Sequence, residues 1–489
     1  MRKQTRLLSA AIVSLAGVVA ACNADSLTES NVSPNAPGQT TPYLLFPQAV
    51  SSFMSVIRNS SFEHGFEANW VQHYAEVNYV EADVYNPRSS TVQTFWNSLF
   101  AGPLQDLKYL LGNAKDAATG GIDKKLVAPA LTMRGYMFQE MTDLWGDIPF
   151  TEFGQGDPAG TGLTPKYDTQ KTIYDSLFAA YKTAKAMYAA PGSTGGYGKS
   201  DPVYAGDLTK WNGLNNSLHA RAALQLSKRD PAKAQAELAI ALAGPVITTN
   251  ANNAKLVYPG DGVNNNPLYT NWRTRDDQRV SKAFIDTLKA KADPRLTRYA
   301  ARTPSSTATA PVYAGAPNGV GVQLGAGPVT SRPNAAIRSI TSPSFLMTAS
   351  EVYLIRAEAA ARGWVAGDAQ ALFQQGIRAS MEQWGVTEPE IVAYLARPEN
   401  VLSTTLATAL RQIALEKWIS LFNLETRAYA EWRRTGYPVL TPGPKSLFNT
   451  VPRRMPYPPI ESSLNNDNLT AAIAAQGGGE ITNRVWWDQ

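Results

Sequence analysis

The chain has 489 residues, 44% of them hydrophobic and 17% charged, which describes an ordered globular protein able to bury a large core. The formal net charge is +5, but Arg2, Lys3 and Arg6 lie in a leader, so the remaining chain is close to neutral and carries no basic block. Nucleic-acid binding is therefore excluded as the organising function.

Residues 1–21 read as a targeting segment: a cationic start, a short apolar run from Leu7 to Val19, then Val19-Ala20-Ala21-Cys22. The run is too short to span a bilayer. Cys22 is the only cysteine and follows two small residues, as in a bacterial lipobox, so it is the expected lipidation site and internal disulfides are excluded. Residues 22–42, including Asn31-Val-Ser-Pro-Asn-Ala-Pro37, read as a polar tether, and 43–489 as the folded body.

From Tyr43 to Tyr74 the pattern is helical, interrupted near 58–61. Residues 74–88 then mix aromatic and acidic side chains without period and end in Asn-Pro-Arg88, which reads as a loop. Helices are expected over 96–111, 126–144, 168–190 (capped by Asp168), 210–228 and 231–242. Residues 243–279 carry little helical signal, a short helix covers 281–292, and 303–341 is a long surface loop rich in Gly, Pro, Ala and Ser. Ser350 is the expected cap of a helix over 350–363, with a partner over 368–384. A last helix runs from Thr404, capped by Ser403, with a break near Asn423 and a stop at Gly436. Its Trp418 and Trp432 are assigned to the core, as is Trp364, and Arg433 and Arg434 to the following turn or to the rigid strap Val451-Pro-Arg-Arg-Met-Pro-Tyr-Pro458. Adjacent helix pairs with few strand signals predict an all-α protein of stacked hairpins.

Catalytic signatures are sparse. The three histidines, His64, His73 and His219, lack zinc spacing, and Gly195-Gly-Tyr-Gly-Lys-Ser200 lacks the first glycine of a phosphate loop. No acidic loop reads as a calcium site. Glu76, Glu81 and Asp83 in the aromatic loop are the one candidate set for glycosidase chemistry, which needs two carboxyls across a sugar. A binding site fits the composition better, because sugar faces stack on Trp and Tyr while their hydroxyls bond to Asp, Asn and Arg. Tyr79, Asp83, Tyr85, Trp272 and Tyr313 lie in loops and are the candidate ligand contacts, with Trp96 at an expected helix start as a further one.

Several segments carry a resemblance in a fixed order. They are the lipobox, the Asn-x-x-Pro-Asn-x-Pro tether, Trp145-Gly-Asp-Ile-Pro149, Asp201…Tyr204-Ala-Gly-Asp207…Trp211 and Asp293-Pro-Arg-Leu296, then Ser350–Trp364, Ala414–Pro438 and Pro452-Arg-Arg-Met-Pro-Tyr457. Together they resemble the SusD/RagB family of outer-membrane nutrient-binding lipoproteins. The resemblance implies a tetratricopeptide-like helical fold with irregular loops packed on one side. It also implies a surface-exposed, lipid-anchored protein that binds an oligosaccharide, or a peptide in some members. Such a protein delivers its cargo to a SusC-like TonB-dependent transporter and has neither enzymatic activity nor a cofactor. A surface glycoside hydrolase and a purely structural lipoprotein are the rival readings.

Overall fold

Apolar periodicity and side-chain caps decide where this chain coils. The computed structural model describes residues 41–489 apart from 60, 117, 157–161, 190–195 and 325–328. The leader and Cys22 lie outside the described residues. Helices of eight or more residues are numbered here. The first four are α1 (Pro42–Ile57), α2 (Ser89–Leu99), α3 (Gln105–Asn113) and α4 (Lys124–Trp145). Next come α5 (Gln170–Tyr188), α6 (Leu208–Gln225), α7 (Pro231–Leu242), α8 (Pro267–Thr274) and α9 (Lys282–Ala290). The C-terminal part adds α10 (Ala349–Ala361), α11 (Ala369–Gln383), α12 (Glu388–Leu395), α13 (Leu406–Ser420), α14 (Glu425–Thr435) and α15 (Asn466–Ala475).

Consecutive helices pack as hairpins: α4 on α5, α5 on α6, α6 on α7, and α10 on α11. The fold is all-α and tetratricopeptide-like. Short strands serve only to pin loops. They are β1 (Tyr74–Glu76), β2 (Ile148–Pro149), β3 (Tyr167–Asp168), β4 (Ala254–Leu256), β5 (Gln278–Val280) and β6 (Ser344–Met347). They pair as β1 with β5, β2 with β3 and β4 with β6.

The C-terminal helix pair is scaffold. Trp418 and Trp432 are buried, and the chain breaks at Asn423, which takes a left-handed φ of 68°. Arg433 donates to the carbonyl of Arg453 in the strap at 2.9 Å. Arg434 does not reach the turn or the strap. Its guanidinium bonds Glu358 on α10 at 2.6 Å and Ser227 at 2.7 Å.

Caps fall near the expected positions but on neighbouring residues. Asp168 sits in β3, where its carboxylate accepts from the Phe150 and Thr151 amides, and Thr169 caps α5 instead. Thr348 caps α10, while Ser350 lies inside it and donates to the Gly376 carbonyl. Ser403 precedes α13, whose cap position is Thr405. Helix α8 forms where little helical signal was read. Asn266 Oδ1 accepts from the Leu268 and Tyr269 amides, and Pro267 opens the first turn. Residues 303–341 contain no helix or strand among the described residues. Nor is any helix among them long and apolar enough to cross a membrane.

Candidate ligand-binding site

The β1–β5 ladder brings together segments about two hundred residues apart. Tyr74 faces Val280, Ala75 faces Arg279, and Glu76 faces Gln278. The pairing runs on one step, as Val77 N donates to the Asp277 carbonyl at 2.7 Å. Beyond this ladder, the 77–88 loop and the C-terminal end of α8 diverge and leave a cleft between them. Its volume is about 620 Å³, solvent at the mouth included. Tyr79, Asn86 and Arg88 line one wall, Asn271, Arg275 and Gln278 the other, and Glu76, Glu81 and Asp277 add carboxyls.

Tyr79 is displayed at the lip. It is 49% exposed and adopts a left-handed φ of 55°, which costs a non-glycine residue energy. The Arg275 guanidinium lies over its ring at 4.5 Å, and Arg88 approaches to 6.0 Å. Both cations are themselves paired. Arg275 meets Asp277 at 2.7 Å, and Arg88 meets Glu81 at 2.7 Å. Charges along the walls therefore cancel locally.

The other expected contacts occupy different places. Trp272, on α8, stands one layer behind the cleft, half-buried against His64. Its Nε1 donates to Gln278 Oε1 at 3.3 Å, which also faces His64 Nδ1 at 3.3 Å. Burial pushes His64 down to about 3, so this imidazole is neutral and acts as packing and orientation for Gln278. Asp83 is 1% exposed. Its carboxylate accepts from Asn318 Nδ2 at 2.8 Å and from Gly319 N at 2.6 Å, tying the 74–88 loop to the 303–341 loop. Burial raises its carboxyl to about 7, against those two hydrogen bonds. Tyr85, with φ 67°, turns its ring inward and is buried. Trp96 is in the second half of α2 rather than at a helix start. It packs on Trp145 and Tyr457 and donates to Glu461 at 3.1 Å. Tyr313 packs half-buried against the core. Of the six, Tyr79 alone lines the cleft. Asp83 and Tyr85 are enclosed because the loop that carries them folds inward between β1 and α2, and Trp96 because its face of α2 packs on Trp145 and Tyr457.

Sequence reading passed over Arg88, Asn271, Arg275 and Asp277. The mixed-charge run Arg273-Thr-Arg-Asp-Asp277, which begins in the last turn of α8 within a segment already rich in aromatics, was the available signal. Among the described residues, no group of three or more His, Cys, Asp or Glu side chains is placed to hold a metal ion.

Comparison with known proteins accords with this architecture. The model of a SusD-like family, described as starch-binding and associating with the outer membrane, matches residues 34–458. Among solved structures, a protein described as chitin-binding is 28% identical with a TM-score of 0.79, covering 92% of this chain and 100% of its own. A chitin-binding SusD homologue from Flavobacterium johnsoniae is 25% identical with a TM-score of 0.80, covering 92% and 97%. A SusD-like protein from Bacteroides thetaiotaomicron shares the fold at 22% identity, with a TM-score of 0.78 and coverage of 91% and 98%. No protein of curated function matches.

Proposed function

Because the chain belongs to the SusD-like family of starch-binding, outer-membrane-associated proteins, we propose that it captures an oligosaccharide at the Tyr79 cleft and passes it to a TonB-dependent transporter. The carrying observation is Tyr79 itself, a half-exposed ring in contact with Arg275 at the lip of a cleft walled with amides and paired charges. An apolar sugar face stacks on such a ring, and Asn86, Asn271 and Gln278 supply donors and acceptors for hydroxyls. Trp272 supports the site from behind by orienting Gln278. A few such contacts give modest affinity, which suits a protein that must release its cargo. Cys22, lipidated, would anchor the body at the cell surface through the tether.

The carboxyl inventory supports binding over hydrolysis. Glu81 is tied to Arg88, Asp277 to Arg275 and Asp83 to Gly319, which leaves Glu76 as the one carboxyl of the four with an oxygen that has no partner, where glycoside hydrolysis needs two carboxyls. Two of the similar structures are described as chitin-binding, so N-acetylated polysaccharides head the ligands to try. In affinity gels containing such glycans, the purified protein should be retarded, and Tyr79→Ala should lose most of that retardation. Incubation with the same glycans should release no reducing ends. A Tyr79→Ala protein retarded as strongly as wild type would place the ligand elsewhere, and release of reducing sugar would refute the non-enzymatic reading.

A further inference from the structure

Glu76 is the last residue of β1 and forms part of the cleft wall. It is 6% exposed, and its Oε2 has no hydrogen-bond partner. Nearby charges are already engaged: Glu81 with Arg88, Asp277 with Arg275, and Arg279 of the facing strand with Asp276. Asp83 spends its carboxylate on Asn318 and Gly319. A buried carboxylate with no cation is costly, and here three further carboxyls surround it. Burial first, then the charges on Asp83, Glu81 and Asp277, push Glu76 well above the ordinary carboxylate range, against one backbone N–H of Asp83. Burial with no cation partner thus favours its carboxylic-acid form, which can donate as well as accept.

We propose that Glu76 is the specificity-determining residue of this cleft, donating its carboxylic O–H to an uncharged carbonyl oxygen of the ligand, that of an acetamido sugar. The inference rests on the glycan-binding reading above. Rotation about the terminal torsion of Glu, which is broad and two-fold, presents either oxygen to the cleft. A sugar hydroxyl both donates and accepts, so either form of a carboxyl serves it. An amide oxygen only accepts, so the acid alone serves it. A free amine requires the carboxylate, which the surrounding charges oppose. The cleft therefore selects an N-acetylated glycan against its deacetylated counterpart.

Calorimetric titration of the lipid-free protein with N-acetylglucosamine, glucosamine and glucose hexasaccharides, from about pH 5 to about pH 9, tests this. The N-acetylated ligand should bind about tenfold tighter than the glucosamine one, the worth of one buried hydrogen bond to a matched partner. Its affinity should fall as alkaline pH ionises Glu76. Glu76→Gln, whose amide still donates, should stay within about threefold of wild type at acidic pH and lose the pH dependence, whereas Glu76→Ala should lose about tenfold. Equal or tighter binding of the glucosamine ligand, a Gln variant as weak as the Ala variant, or identical pH profiles for wild type and Gln would each overturn the proposal. Should Glu76→Ala fail to fold, the Gln profile decides alone. Binding of all three hexasaccharides with equal affinity removes this inference and leaves the glycan reading standing. Failure to bind any glycan in the set or on a broad array removes both.

Discussion

Asp83 shows how one side chain can shape a cleft without lining it. Its two hydrogen bonds to Asn318 and Gly319 join loops that have no other regular structure. Asp83→Ala should therefore speed amide hydrogen exchange at Gly319 and across 77–88, and weaken glycan retention while leaving global stability nearly intact. The pH dependence has a definite sign. The folded-state value, about 7, lies above the ordinary 3.8, so this group's stabilising contribution is complete below about pH 4 and is lost as pH rises through 7. Asp83→Asn should accordingly gain melting temperature relative to wild type between pH 5 and pH 8, by several degrees as an order of magnitude; no relative gain would show that the carboxyl is ionised freely. At this scale the sequence was half legible. Residue types and loop membership pointed to the region where the cleft forms, but whether a loop side chain faces water or protein depends on what the loop packs against. Tyr79 and Tyr85 both adopt left-handed backbone, yet one is presented and the other buried. Nothing in their identities distinguishes them.

At the scale of elements, α14 is held by charge as much as by its tryptophans. Arg434 bridges Glu358 of α10 and Glu431 of its own helix, and Lys417 of α13 meets Glu431 at 2.9 Å. All four are buried. Burial alone would raise the Glu358 carboxyl, but Arg434, helped by Lys417 and Arg362, holds it well below the ordinary range. Its contribution is thus present above the ordinary carboxylate value and fades only in strong acid. Removing one partner leaves buried acids uncompensated, so Arg434→Met should cost about 3–5 kcal/mol in urea unfolding. A loss below about 1 kcal/mol would mean that water already solvates the cluster. Long helices were readable here because their apolar stripes and caps agree. Short α8 was not, because the Asn266-Pro267 pair that starts it resembles a loop breaker, and its stability comes from the tertiary contact of Trp272 with His64. The destination of Arg434 was equally hidden, since Glu358 lies 76 residues away in sequence.

The described residues combine a helical stack with loops pinned by three two-stranded ladders. Residues Pro42–Gln489 form one compact unit. The proposed anchor at Cys22 precedes it, separated by the proposed tether. Cys22→Ser should release the protein from the membrane fraction of its host into the soluble fraction while glycan binding is retained; unchanged membrane association would make the lipid anchor dispensable. Order and number of family motifs made the architecture legible from sequence, because helices repeat a period that one dimension can display. The cleft was less so, since it is made where β1 and β5 meet across two hundred residues.

Charge cancellation along the cleft walls has a consequence for how the cleft responds to salt. Arg88 with Glu81, and Arg275 with Asp277, present neighbouring opposite charges and so little field beyond a few ångströms. Ionic strength acts on long-range fields and leaves stacking and short hydrogen bonds almost untouched. Binding in this cleft should therefore change little between low and high ionic strength.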